Sequence, residues 1–201
     1  AYDESEAYLD FFNCSLECAE YLGTDTLIVH SDALIPGEGG IMPAKLQSKE
    51  MGDLEKMQAC VRMLKEMALL AEKKNVNIAF EPLNTKLDHP GYYANSMQIA
   101  LNIVQKVSSK RVKILYDIYH MQIMEGNIIG TLTDNIDSIG YIHIADVPGR
   151  YEPGTGELNY PNILKTLDAL GYTGFVGIEC KLNKDMNSVT QMLKNFSNGM
   201  I

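Results

Sequence analysis

Four short apolar runs constrain this chain more than any other feature: three end on a carboxylate and the fourth carries a histidine. They are Asn77-Ile-Ala-Phe-Glu81, Lys113-Ile-Leu-Tyr-Asp117, Phe175-Val-Gly-Ile-Glu179 and Tyr141-Ile-His143-Ile-Ala145. Each is followed by a helical pattern, so each reads as a buried parallel strand. Ionisable groups at the ends of several such strands gather on one rim of a parallel barrel. Glu, Asp, His and Glu converging there make an oxygen-rich site for a divalent cation.

The rest of the chain keeps the alternation. Apolar residues at Leu9, Phe12, Leu16, Ala19 and Leu22 have helical spacing, and Gly23 stops that helix. Thr26–His30 reads as a strand. Ser31–Ala44 reads as a loop, because it holds Pro36, Gly37, Gly39, Gly40 and Pro43. Lys45–Lys74 is helical, with Leu54, Met57, Val61, Leu64, Ala68 and Ala71 on one side. Further helices are expected from Asn95 or Ser96 to Lys106, over Ile128–Ile139, from Pro161 to before Gly171, and more weakly over Ser188–Phe196. Alternation of this kind implies a parallel sheet covered by helices through right-handed crossovers. No Gly-rich phosphate fingerprint follows a strand, which weighs against a dinucleotide fold. Ligands spread over four strands favour a closed barrel, since an open sheet would carry the outer ones apart.

The strand count is five, whereas a (β/α)8 barrel has eight and needs about 250 residues. The 201 residues are therefore read as one domain, 1–201, formed by the last five βα units of a TIM barrel whose first three units are absent. On that reading the strands at Thr26–His30 and Gly174–Glu179 are exposed edges.

With 46% hydrophobic and 21% charged residues, the chain is globular rather than disordered. No apolar run approaches the roughly 18 residues of a membrane span. The first residues lack the basic flank and apolar stretch of a signal peptide, so a cytoplasmic protein is expected. A net charge of −9 argues against a nucleic-acid backbone as ligand. Cys14, Cys18, Cys60 and Cys180 show no disulfide framework and are read as buried free thiols.

Glu81 and Glu179 matter most, because buried carboxylates are costly unless paired or bound to metal. Asp117 stands in Asp-Ile-Tyr-His, where it can reach the metal while His120 faces substrate. His143 supplies an imidazole, which suits Mn, Fe, Co or Zn. His30 ends the first strand and either faces the mouth or is structural. His89 is given no role. Arg150, in the loop after His143, either holds an anionic or polyhydroxylated substrate or pairs with Glu152. Glu157 is expected to hold that loop through backbone N–H groups.

At these residues the chain resembles the xylose-isomerase-like barrel superfamily of sugar isomerases and epimerases, and within it the hydroxypyruvate isomerases. The matching segments are Glu81-Pro-Leu-Asn84, Tyr116-Asp-Ile-Tyr-His-Met-Gln122 with Glu125-Gly126, Val147-Pro-Gly-Arg-Tyr-Glu-Pro153, Gly156-Glu-Leu-Asn-Tyr-Pro161, and Gly171-Tyr through Gly177-Ile-Glu179. The resemblance implies that Glu81, Asp117, His143 and Glu179 bind one divalent metal ion (Mn, Mg or Co, with Zn as a further candidate). It implies that Glu81 and Glu179 also move the proton, and that His120 and Arg150 contact substrate. The implied reaction is an aldose–ketose isomerisation, hydroxypyruvate to tartronate semialdehyde, through a metal-stabilised enediolate and without an organic cofactor. Partners are then a small hydroxy-carbonyl or sugar substrate, with no nucleic acid and no membrane; a homo-oligomer is left open.

One position departs from the pattern. Hydroxypyruvate isomerases tend to have Gln where His143 stands, whereas ketose 3-epimerases have His. A ketose 3-epimerase or another sugar isomerase is therefore the alternative. A metal-binding relative without turnover is the non-enzymatic reading. The superfamily's apurinic-site endonucleases need more histidines and an Asp-x-His pair, which this chain lacks after His143.

Overall fold

A helix opens the chain in the computed structural model. The structure describes residues 4–32, 34–37, 40–43, 51–183, 185, 187, 189–191 and 194. They fall into two units, Ala1–Leu115 and Tyr116–Ile201. No helix among the described residues is long and apolar enough to cross a membrane.

In the first unit, helix α1 (Glu4–Leu22) buries Phe12, Leu16 and Ala19. Gly23, at φ +70°, ends it in a conformation that costs other residues more. Strand β1 (Thr26–Val29) follows. The stretch read as a plain loop contains a hairpin, with β2 (Leu34–Gly37) antiparallel to β3 (Gly40–Pro43). Pro36 and Pro43 argued against strands there. Prolines are tolerated in a two-stranded pair, which among the described residues has edges on both sides, and Ile35 stands opposite Met42.

Helix α2 runs from Asp53 to Lys74. The expected start at Lys45 lies outside the described residues, and Met51 and Gly52 are not helical. Gly52 is the N-cap, its N–H donating to Glu55 Oε2 at 3.0 Å. Leu64, Met67, Ala68 and Ala71 form the buried face, but Leu54 stays 66% exposed, so the expected stripe is buried only in its C-terminal half. Strand β4 (Asn77–Phe80), helix α3 (Met97–Val107) and strand β5 (Val112–Asp117) complete the pattern. Ser96 caps α3 by accepting from Ile99 N–H at 3.3 Å. Such a cap contributes about 1 kcal/mol, and each large apolar side chain buried from α3 about 1.5–3 kcal/mol, so packing decides this helix. β1 and β4 pair in parallel from Thr26↔Asn77 to Val29↔Phe80, and β4 and β5 from Ile78↔Val112 to Phe80↔Ile114.

The second unit begins in the last two residues of β5. A helix that sequence reading missed, α4 (Ile118–Met124), starts at once. It is only seven residues long, too short for a periodic signal, and Asp117 caps it. Helix α5 (Ile128–Asn135) and a single 3₁₀ turn (Ile136–Ser138) lead to β6 (Ile139–Ile144). The expected helix to Ile139 thus stops early and the strand starts earlier. Helix α6 (Tyr160–Ala169), with Pro161 in its first turn, leads to β7 (Phe175–Ile178). β6 and β7 pair in parallel from Tyr141↔Phe175 to Ile144↔Ile178.

β7 is not a buried strand: Phe175 is 65% exposed, and Val176 and Ile178 are exposed as well. Its apolar pattern gives no warning, because cover depends on what packs against it. The cysteines need a similar correction. Cys14 and Cys18 are exposed on α1, away from its buried face, and Cys60 and Cys180 are half-buried; all four are free thiols. The helix expected over Ser188–Phe196 lies largely outside the described residues.

Candidate metal centre

In the first unit, Glu81 is the residue after β4, and its N–H continues the ladder to Val29 carbonyl oxygen at 3.0 Å. Its side chain is buried, and Oε2 lies 3.0 Å from His30 Nε2. His30 therefore turns toward Glu81. Tyr92 pins the same spot: its hydroxyl donates to Glu81 carbonyl oxygen at 2.8 Å and accepts from Ser31 N–H at 2.8 Å. Burial holds the Tyr92 phenol well above its ordinary range, so it remains a donor. His89, given no role, packs its ring 6.3 Å from that of Tyr92.

In the second unit, Asp117 is fully buried at the junction of β5 and α4. Its Oδ1 accepts from Tyr119 N–H at 2.8 Å and His120 N–H at 3.5 Å, which fixes the carboxylate plane. Oδ2 lies 3.0 Å from Arg150 Nη2 and 3.5 Å from His120 Nε2. His120 is itself buried.

His143 sits inside β6 with its Nδ1 2.9 Å from Glu179 Oε2. The residue paired with it across the strands is Gly177, where a Cβ would lie 3.1 Å from His143 Cδ2 and 3.0 Å from the Tyr141 ring. The missing side chain makes room for the imidazole. Glu179 follows β7, its N–H donating to Ile144 carbonyl oxygen at 3.2 Å, with its side chain 52% exposed.

Arg150 donates through Nη2 to Asp117 Oδ2 at 3.0 Å and Glu179 Oε2 at 2.8 Å. Its guanidinium carbon stands 5.0 Å from the centre of the Tyr119 ring, a cation–π contact. The pairing with Glu152 considered from sequence is replaced by these two carboxylates. Glu152 is buried and accepts from Asn183 N–H at 2.9 Å.

The loop after β6 is held differently from expectation. Glu157 carboxylate receives Gln122 Nε2 at 3.3 Å, whereas the buried carboxylate of Asp146 accepts from Val147, Gly154 and Leu158 N–H. Sequence reading missed Asp146. The available signal was an Asp just past a strand end, at the head of a loop rich in Gly and Pro.

Asp117, His143 and Glu179 each offer a ligand atom, and these atoms lie within 4.8 Å of one another. Arg150 Nη2 already offsets the repulsion between the two carboxylates, and the imidazole beside them completes a set of donor types that could hold a divalent ion. The donor chemistry fits one metal ion, without specifying which.

Parallel strands alternating with helices, with acidic and histidine side chains at or near the strand ends, define a β/α protein of the barrel type with a side-chain group that could hold a metal ion. The chain belongs to the xylose isomerase-like TIM barrel family, whose sequence profile matches residues 2–196. It is 34% identical over 168 residues to 2-oxo-tetronate isomerase of Cupriavidus necator, covering 82% of this chain and 58% of that protein. It is 41% identical over 121 residues to hydroxypyruvate isomerase of Escherichia coli K12, covering 60% of this chain and 46% of that protein. The chain thus spans about half the length of the curated relatives it matches. The crystal structure of an AP endonuclease, family 2, from Brucella melitensis shares the fold with a TM-score of 0.83 and 24% identity, over 96% of this chain and 69% of that one.

Proposed function

We propose that Glu81, Asp117, His143 and Glu179 hold one divalent cation in a cytoplasmic isomerase that interconverts hydroxypyruvate and tartronate semialdehyde. The observation that carries this reading is the meeting of Asp117, His143 and Glu179 ligand atoms within 4.8 Å at strand ends. Glu81 joins them as the fourth ligand. It lies one residue past β4, as Glu179 lies one residue past β7. Relatives named for isomerases of 2-oxo acids support the substrate class.

When bound, the cation supplies Lewis acidity to the substrate's adjacent carbonyl and hydroxyl oxygens, which acidifies the C–H between them. The chain's residues then move the protons. One of Glu81 and Glu179 takes the proton from C3 of hydroxypyruvate, a protonated carboxyl returns one to C2, and the hydroxyl proton passes from the C3 oxygen to the C2 oxygen. His30 and Tyr92 orient Glu81 for this, and His143 orients Glu179.

Arg150 binds the substrate carboxylate, aided by His120. Its buried Nε makes no hydrogen bond among the described residues and is available to a bidentate anion. His143 itself favours the second reading, a ketose 3-epimerase, in which the proton returns to the opposite face of the same carbon.

The test is to incubate the protein, loaded separately with Mn²⁺, Mg²⁺, Co²⁺ or Zn²⁺, with hydroxypyruvate and with several neutral ketoses, following products by NMR. Tartronate semialdehyde from hydroxypyruvate is expected, and epimerised ketose alone would establish the second reading. Arg150→Ala should raise the apparent KM for hydroxypyruvate about tenfold or more, as losing a charge-assisted hydrogen bond does. Equal losses on neutral ketoses would remove carboxylate binding from Arg150.

A further inference from the structure

We infer that Asp146 is the positioning residue for Arg150: its buried carboxylate gathers the loop after β6 and so sets how well the guanidinium meets a substrate carboxylate. The inference rests on the isomerase reading for its kinetic consequence and on geometry alone for the rest. Asp146 is fully buried, two residues beyond β6. Its Oδ1 accepts from Val147 N–H at 2.9 Å and Leu158 N–H at 3.1 Å, and its Oδ2 from Gly154 N–H at 2.7 Å. Its main chain closes the same turn: the carbonyl accepts from Arg150 N–H at 3.1 Å and the N–H donates to Tyr151 carbonyl oxygen at 2.7 Å. A single residue thereby gathers both ends of the loop through its side chain and holds the base of Arg150 through its main chain.

Two features show how tightly the loop is wound. Arg150 has φ +59°, a left-handed conformation that an Arg adopts only when its surroundings hold it there. Lys181 N–H donates to its carbonyl at 2.7 Å, so it is held from both sides. At Gly156 a Cβ would collide with Val147 carbonyl oxygen and lie 2.6 Å from Asp146 Oδ1. The arrangement needs a carboxylate. Both oxygens of Asp146 accept from backbone donors, and an amide would turn its own N–H₂ toward one of them. Asp146 contributes through the backbone it organises, so it acts through Arg150 and is not itself a substrate contact.

The test uses Asp146→Asn in the full chain. In ¹H–¹⁵N spectra, the Arg150 Nε–H signal, assigned by its loss in Arg150→Lys, is expected to shift or broaden. Amide exchange at Gly154 and Leu158 should rise about tenfold or more, the fold-change of losing a hydrogen bond to a charged acceptor, while Ile142 and Ile144 in β6 stay unchanged. With the Mn²⁺-loaded protein, KM for hydroxypyruvate should rise by about the same factor, with kcat much less affected. An unchanged Arg150 signal overturns the proposal, whether or not the loop amides exchange faster, because Asp146 would then hold only the loop. An unchanged KM beside a shifted signal overturns its bearing on substrate. If the unmodified protein does not turn over hydroxypyruvate, the isomerase reading fails separately and the Arg150 signal still decides the positioning role. Should Asp146→Asn not fold, Gly156→Ala displaces the same loop from its other side and is read in the same way.

Discussion

Two residues carry predictions that separate chemistry from architecture. Glu179 is half exposed, paired with Arg150 and 2.9 Å from His143 Nδ1, so the near-isosteric Glu179→Gln should leave the fold intact. The amide cannot exchange a proton, and turnover should disappear while metal affinity weakens. Wild-type turnover with metal bound would take Glu179 out of the acid–base role. Cys60 predicts the alkaline limit. Burial first, and then the negative charge of Asp32, push its thiol from 9.0 to about 12. Between those values the unfolded chain has lost the proton and the folded chain still holds it. Stability from this group is therefore complete below pH 9.0 and falls as pH rises toward about 12. Urea midpoints taken across that range should decline more steeply for the native chain than for Cys60→Ala. At pH 8 the exposed Cys14 and Cys18 should react with a thiol reagent well before Cys60 does.

Among the elements, the β6–β7 pair is where packing reaches the site most directly. Gly177→Ala would put a methyl group 3.1 Å from His143 Cδ2 and 3.0 Å from the Tyr141 ring, too near for the imidazole to stay where it is. Mn²⁺ affinity, measured calorimetrically, should fall about tenfold, as for changes in the groups that orient a metal ligand. Equal affinity in the variant would mean that the ring has room to spare. The strands themselves were legible: β5 matches its expected C-terminal end, and β4 and β7 stop one residue before their carboxylates. Shorter elements were not. α4 has too few residues for a helical period, and its start depends on Asp117 turning back to cap it. The β2–β3 hairpin hid behind prolines that its open edges allow.

For the whole molecule, the apolar side chains of β7 are a liability. Phe175, Val176 and Ile178 are exposed on a strand that, among the described residues, is paired with β6. Such a patch beside unpaired backbone groups invites association. The chain should sediment as mixed oligomers, and Phe175→Lys with Ile178→Lys should shift it toward monomer; an unshifted distribution would clear β7 of that role. The sequence alone determined the alternation of strand and helix and the carboxylates at the ends of β4, β5 and β7. Both are local: apolar continuity and period are set by neighbours along the chain, and a buried acid is costly enough to be conspicuous. Tertiary structure decided the assignments. Glu157 and Asp146 are both acids of one loop, yet only the second turns inward to collect Val147, Gly154 and Leu158 N–H. Arg150 faced Glu152 two residues away on paper and meets Asp117 and Glu179 instead. Cys14 and Cys18 could have faced the core until Phe12, Leu16 and Ala19 took that side of α1. Each of these outcomes depends on which distant residues share a space, and residue type and spacing do not encode that in any short stretch of chain.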